Sequence, residues 1–415
     1  MMRMSFKEAN TGSSFIRLTA IATLFLATSA AACAQTPSPA PPDVVSSSAG
    51  NIKIERLATL EQPWGMALLP DGRLLITEKP GRLRVWANGQ LSEPVQGVPR
   101  AFYRGPSDQG GLLDVEIDPD FARSGLVYLS YVEAADPQPP GARDEGDARF
   151  GRSGPSEDNV VRGGAVARGR LEGNQLRDVQ VIWRQEPKTV GRGHFGNRLV
   201  FAPDGKLFIT SGERMRFDPA QDLASNLGKV VRVNKDGSVP GDNPFVGKEG
   251  ARGDVWSYGH RNMLSAAFDA AGRLWVVEMG PLGGDELNLV QPGKNYGWPL
   301  VSNGDNYDSS VIPDHPSRRD LQAPVRSWSP VISPSGAIFY TGALFPAWRG
   351  HMIVGGLSSR SLVRLALDGE RVAVEERIDM KRRIRDVIQA PDGALLVIVD
   401  DRKGDLLRLT PAPAR

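Results

Sequence analysis

Cysteine is almost absent. Cys33 is the only one in 415 residues, so no disulfide within the chain can staple the fold, although an oxidising compartment is compatible with it. Net charge is nearly absent too, at +2 from 50 basic and 48 acidic side chains. Such a balance offers no broad field to nucleic acid or an anionic membrane, so any charged site must be local. Histidine is scarce: His194, His260, His315 and His351 are the full set, which keeps the choice of a base near neutral pH short. The apolar run Leu18 to Ala32 is too short to span a bilayer comfortably.

That run has the marks of a targeting segment. Lys7 and Arg17 precede it, and Ala32-Cys33-Ala34 ends it with small residues. Residues 1–34 are therefore expected to be a signal peptide, with Gln35 as the mature start and a periplasmic or secreted destination. The alternative is a lipid-modified Cys33, for which Ala30 is a poor stand-in for the usual leucine; membrane attachment is then through that anchor alone. Residues 35–50, rich in proline and serine, read as a disordered linker.

What the chain has in plenty is glycine (46) and proline (32), a mix that suits many short strands joined by tight turns. One pattern recurs: an apolar strand, a Pro-Asp-Gly turn, a second apolar strand. Its clear copies centre on Pro70-Asp71-Gly72, Pro203-Asp204-Gly205 and Pro391-Asp392-Gly393. Degenerate copies lie at Asp118-Pro119-Asp120, Asp269-Ala270-Ala271-Gly272 and Pro334-Ser335-Gly336. Proline presets φ, and glycine accepts the positive φ the reversal needs. Most spacings are roughly 50 to 70 residues, enough for a four-stranded blade with its loops. The longest interval holds a Pro/Gly/charge-rich insertion, Glu133–Asp158. The expectation is all-β: a six-bladed β-propeller of four-stranded antiparallel blades over residues 51–412. An irregular β-sandwich is the competing fold.

Propellers carry function on the loops at one mouth of the central channel, and five polar clusters flank the repeated strands. His194 sits in the glycine-rich Gly191–Arg198 loop and can act as a general base or be a structural histidine. Arg261-Asn262 offers donors for a planar anion, or a local salt bridge. Gly280-Pro281 with Asp285-Glu286 supplies carbonyl and carboxylate oxygens that suit calcium, or forms a solvated acidic loop. Arg383 and Arg385 share one strand face; side by side they repel unless an anion lies between them, or they are a solvated edge. Gln109 enters a strand and can contact a ligand or none.

In order along the chain, Pro63-Trp64-Gly65-Met66, Gln109-Gly110-Gly111, the His194 loop, Tyr258-Gly259-His260-Arg261-Asn262, Gly280-Pro281 with Asn295-Tyr296-Gly297-Trp298-Pro299, Trp328-Ser329-Pro330 and Arg383-Ile384-Arg385 resemble the soluble quinoprotein glucose dehydrogenases. The resemblance is closer to their bacterial aldose dehydrogenase branch, and it runs from about Ile54 to Leu409. It implies oxidation of an aldose at its anomeric carbon, with pyrroloquinoline quinone and Ca2+ as cofactors and an external electron acceptor. It implies His194 as the base and Arg261 beside the reactive carbonyl. Gln109, Asn262, Tyr307, Arg383 and Arg385 become cofactor contacts. Gly280 and Pro281 become carbonyl ligands of one calcium, and Glu286 with the Tyr296 carbonyl a second site. Many members place a cofactor-binding lysine where this chain has Ser358. Because the arginine pair is expected to await an anionic cofactor, its removal is expected to leave the apoprotein no less stable. Two other functions fit a propeller: a calcium-dependent lactonase-type hydrolase and a non-catalytic binding module.

Overall fold

Four antiparallel strands hydrogen-bond into each repeat, and the inner strands of six such sheets meet in a ring. The structure, a computed structural model, describes residues 43–141 and 159–413. The expected signal peptide, Cys33 and the linker up to residue 42 lie outside the described residues, as does most of the expected insertion. Blade 1 runs from its inner strand outward as Pro63–Leu68, Leu74–Glu78, Arg82–Ala87 and Gln90–Leu91. The inner strands of blades 2 to 6 are Leu112–Ile117, Gly196–Phe201, Met263–Phe268, Pro334–Phe339 and Ile384–Gln389. Each inner strand contacts the next, and the last contacts the first. This is the expected six-bladed propeller.

The ring closes by sharing strands between the chain's two ends. Blade 6 takes Ile384–Gln389, Leu395–Val399 and Gly404–Pro411 from the end of the chain and Gly50–Leu60 from its beginning. Val44–Ser47 adds a fifth strand. The end of the expected linker is a hairpin: Val44–Ser47 is strand and a turn at Ser48-Ala49 leads into Gly50–Leu60; Val45 is buried beneath the sheet edge, and Ser48 donates to the Glu376 carboxylate of blade 5.

Apolar sequence goes into the seams between blades. Each of the six interfaces holds its own cluster, such as Leu75, Leu83, Val115 and Leu129 between blades 1 and 2, or Trp275, Leu287, Met352 and Val363 between blades 4 and 5. Second strands such as Leu74–Glu78 are buried at every position, because blades pack on both faces of each sheet. That accounts for their near-continuous apolar runs.

Five of the expected turns join the inner strand of a blade to its second strand. Gly72, Gly205, Gly272 and Gly393 all have φ between 73° and 89°. The sixth expectation is corrected. Pro334-Ser335-Gly336 begins the inner strand of blade 5, and residues 340–351 make the connection. Gly336 is there for space: a Cβ would collide with the Asp386 carboxylate.

That carboxylate belongs to a buried charge cluster near the ring axis. Arg198 Nη1 lies 2.9 Å from Asp114 Oδ1 and 3.2 Å from Asp386 Oδ1. Asp114 also accepts from the Leu199 N–H, and Asp386 from the Met66 N–H. Burial pushes Asp114 up to about 7 despite Arg198. Replacing Asp386 by alanine strips one carboxylate from a buried guanidinium and leaves the Met66 N–H unsatisfied. The expected cost is about 3 kcal/mol or more, read by urea unfolding. A variant within about 1 kcal/mol of the parent would show that the ring holds without this cluster.

Candidate active site

One cavity of about 270 Å3 opens on the face where the loops before the inner strands converge. Every blade lines it: Trp64 and Lys79 from blade 1, Asp108 and Gln109 leading into blade 2, Phe195 from blade 3, Asn262 and Met279 from blade 4, Leu357 from blade 5, and Arg383, Arg385 and Asp400 from blade 6. Of the sequence-predicted residues, Gln109, Asn262, Arg383 and Arg385 are on its wall. His194 and Arg261 each adjoin a lining residue in the chain.

A recurring device positions the functional loops. In blades 1, 3, 4 and 6 an acid follows or ends the second strand: Glu78, Glu213, Glu278 and Asp400. The antiparallel register sets that strand end opposite the start of the inner strand, as in Pro63↔Glu78 and Met263↔Glu278. Each acid then reaches back to the loop before that strand. Glu78 accepts the Glu61 N–H, Glu213 holds His194, Glu278 holds His260 Nδ1 and the Arg261 N–H, and Asp400 holds Arg383 and Arg385. The sequence analysis missed all four as site residues. An acid recurring at one end of the repeat was the signal that could have found them.

His194 is buried at 4% exposure, so its glycine-rich loop does pack it. Its N–H donates to Gln109 Oε1 at 2.9 Å, which fixes one end of the Gln109 amide. Its Nδ1 meets Glu213 Oε1, while Glu213 Oε2 accepts the Phe217 N–H at 2.9 Å. With Nδ1–H donated to the Glu213 carboxylate, Nε2 is the basic nitrogen. Burial, then the Arg261 charge, lowers the His194 pKa below its ordinary 6.5; Glu213 opposes this. The backbone here is strained: His194, Asn197, Arg214, Met215 and Phe217 all have φ between 53° and 65°, a region non-glycine residues rarely adopt. Arg214 ties the loop down through the Gly193 and Gly191 carbonyls at 3.0 and 2.8 Å.

Arg261 is buried, and its Nη1 donates to the Met279 and Gly280 carbonyls at 3.0 and 2.7 Å. Tyr307, 44% exposed, covers it at 5.7 Å. Asp285 accepts the Gly280, Ile332 and Ser333 N–H groups and so holds the Gly280-Pro281 loop. Glu286 and Tyr296 face a small separate hollow with Ser302. There Glu286 is engaged by protein donors, His315 Nε2 at 3.0 Å and Asn288 Nδ2 at 3.2 Å. His315 thus has a carboxylate partner. Ser358 is exposed, its hydroxyl turned to the Val331 carbonyl; Leu357 takes the cavity wall instead.

The arginine pair also differs from expectation. The anion between Arg383 and Arg385 is part of the protein: Asp400 Oδ2 accepts from Arg383 Nε and Nη2 at 2.9 and 2.7 Å, and Oδ1 from Arg385 Nε and Nη2 at 3.0 and 2.6 Å.

The family model described as Glucose / Sorbosone dehydrogenase matches residues 60–408. The chain belongs to that family. It is 40% identical over 361 residues to an aldose sugar dehydrogenase of Escherichia coli, covering 85% of this chain and 91% of that one. It is 26% identical over 439 residues to quinoprotein glucose dehydrogenase B of Acinetobacter calcoaceticus, covering 84% and 85%. The PQQ-bound form of an aldose sugar dehydrogenase from Streptomyces coelicolor superposes with a TM-score of 0.66 at 26% identity, over 89% of this chain and 100% of that one.

Asp400 reverses the stability expectation. Against the cost of burial, Arg385 and then Arg383 hold its pKa down at about 2, from 3.8. A depressed carboxylate pKa stabilises the fold above the ordinary value and ceases to do so as pH falls through the folded one. The shift corresponds to about 2 kcal/mol. Alanine at both arginines is therefore expected to destabilise the apoprotein by roughly 2 kcal/mol at pH 7. The difference should vanish towards pH 2, as read by thermal unfolding across pH. Equal stability at pH 7 would reinstate the sequence expectation.

Proposed function

We propose that this protein oxidises aldose sugars at the anomeric carbon to lactones, with pyrroloquinoline quinone as hydride acceptor and calcium assistance. The observation that carries the reading is one cavity, drawn from all six blades and lined by Lys79, Arg383 and Arg385, with a buried histidine bonded through its backbone to the wall residue Gln109. Family membership supports sugar oxidation. The residues fit the quinone, a planar group with three carboxylates. Arg383, Arg385 and Lys79 provide clustered positive charge, and Gln109 and Asn262 provide amides. For calcium, the Gly280 carbonyl already accepts from Arg261, and its second lone pair is what it can give a cation. Among the described residues, no group of three or more His, Cys, Asp or Glu side chains is placed to hold a metal, so an ion here draws on backbone carbonyls. Nothing favours the hydrolase reading, whose metal site is built from side-chain oxygens.

When bound, the quinone supplies the electron sink and calcium the Lewis acid. The chain supplies proton chemistry and orientation. His194 Nε2 takes the anomeric hydroxyl proton, and Glu213 stabilises the imidazolium that forms. The depressed His194 pKa keeps the base neutral at pH 7 and ready to accept. Arg261, anchored by two carbonyls, sets a positive charge near the base and the cavity. An external electron acceptor completes turnover. The N-terminal pattern supports export, by secretion or by lipidation of Cys33.

The test adds quinone and calcium to purified apoprotein and follows aldose-dependent dye reduction. Activity should appear, vanish with chelator and return with calcium. His194→Ala should bind the quinone yet turn over at least about 100-fold more slowly. The acid limb of the rate should lie below pH 6.5, since the rate falls only as His194 protonates. Glu213→Gln should move that limb lower still, because Glu213 raises the His194 pKa. Near-normal turnover of a fully loaded His194→Ala would remove His194 from the mechanism.

A further inference from the structure

Lys79 follows the second strand of blade 1 and is only 9% exposed. Lysines are rarely buried this far without a charged partner. Among the described residues, its Nζ makes one hydrogen bond, to the Asp108 carbonyl, and stands 5.6 Å from the Tyr103 ring. An ammonium has three donors, so two remain. The two carboxylates nearest in charge are both committed elsewhere. Asp400 is shared between Arg383 and Arg385. Asp108 accepts the Arg104 and Gly110 N–H groups and faces Arg162 at 3.8 Å. Lys79 lines the same cavity as both arginines. The wall thus has three cations against two carboxylates, with spare ammonium donors on the blade 1 side.

We propose that Lys79 binds a carboxylate of the ligand in this cavity, and that the carboxylate belongs to the quinone. The inference rests on the functional reading above and adds a third cationic contact, from blade 1, beside the arginines of the neighbouring blade 6. Burial, with Arg385 next, lowers the Lys79 pKa to about 8, while Asp400 and Asp108 oppose. A ligand carboxylate favours the charged form, so binding near pH 8 should take up a proton. Of the other groups facing Lys79, Asp400 is held well below its ordinary value by the two arginines and burial raises the Tyr103 pKa, so neither changes charge near pH 8.

The experiment titrates full-length apoprotein with pyrroloquinoline quinone and calcium by calorimetry at pH 8, in two buffers of different ionisation enthalpy. Wild type, Lys79→Met and Lys79→Arg are compared, with thermal unfolding to establish that each is folded. Lys79→Met should bind about 10- to 100-fold more weakly and lose the proton uptake. Lys79→Arg should recover most of the affinity without the uptake, since its charge does not titrate. If Lys79→Met does not fold, Lys79→Arg still decides through the uptake alone. Wild type that binds, with Lys79→Met matching it in affinity and uptake, overturns the inference and leaves the functional reading standing. Wild type that fails to bind overturns that reading and the inference with it. A second arm compares a uronic acid with its neutral aldose. If Lys79→Met keeps quinone affinity but loses only the response to the acid, the carboxylate is the substrate's and the proposal fails.

Discussion

Arg198 stands where the inner strands converge, and its charge obliges the blades to meet around it. Buried guanidinium must be paired, and its partners come from different parts of the ring: Asp114 of blade 2 and Asp386 of blade 6. Its Nε donates to the Leu264 carbonyl of blade 4 at 3.2 Å, and its plane lies 4.4 Å from the Trp64 ring of blade 1. Blade 5 yields space for Asp386 through Gly336. A slip of blade 2 or blade 6 breaks an ion pair to this buried charge that water cannot replace. Trp64 and Leu264 line the cavity, so the cluster that closes the ring also supports the floor of the site.

The second constraint is register. In an antiparallel pair, the end of the second strand lies beside the start of the first. An acid placed there can reach the loop that enters the blade without crossing the core. The same short reach caps a backbone in blade 1, holds a histidine in blades 3 and 4, and clamps an arginine pair in blade 6. Blades 2 and 5 use the corresponding strand ends differently, with Val132 and Leu357 buried there. The site's chemistry is thus a variation on one repeated position, and the strained loop around His194 is held by neighbours that this register supplies.

The repeat was legible because its turns are local chemistry: proline and glycine fix the reversal whatever lies around it. Pro334-Ser335-Gly336 misled for the same reason. Its composition is that of a turn, yet its glycine answers to Asp386, some fifty residues on in sequence. The two arginines were visible as a like-charged face, and the need for an anion followed correctly. That Asp400 supplies one within the chain was not visible, because it lies beyond the next strand and composition carries no distances. Residues 44–50 looked like tether because an edge strand asks little of its side chains; only Val45 there is buried. His194 stood out through scarcity, whereas Glu213 was one acid among 48 acidic side chains until the repeat gave it a position.

The internal pairing of Asp400 bears on how such a cavity can bind an anion at all. Two unpaired arginines would swing and repel, and a ligand would have to order them as it arrived. Bidentate contacts to one carboxylate fix both guanidinium planes beforehand, which lowers the ordering cost of binding. The same carboxylate weakens the local field, so a wall made only of the two arginines and Asp400 carries a single net positive charge. Arg385 is the deeper of the pair, with 12% side-chain exposure against 45% for Arg383, and is the better held. A multiply charged ligand then needs positive charge that Asp400 does not already satisfy. Lys79 is the buried cation on this wall with no carboxylate of its own. Its pKa, lowered first by burial and then by Arg385, marks an ammonium whose charged form an entering anion stabilises.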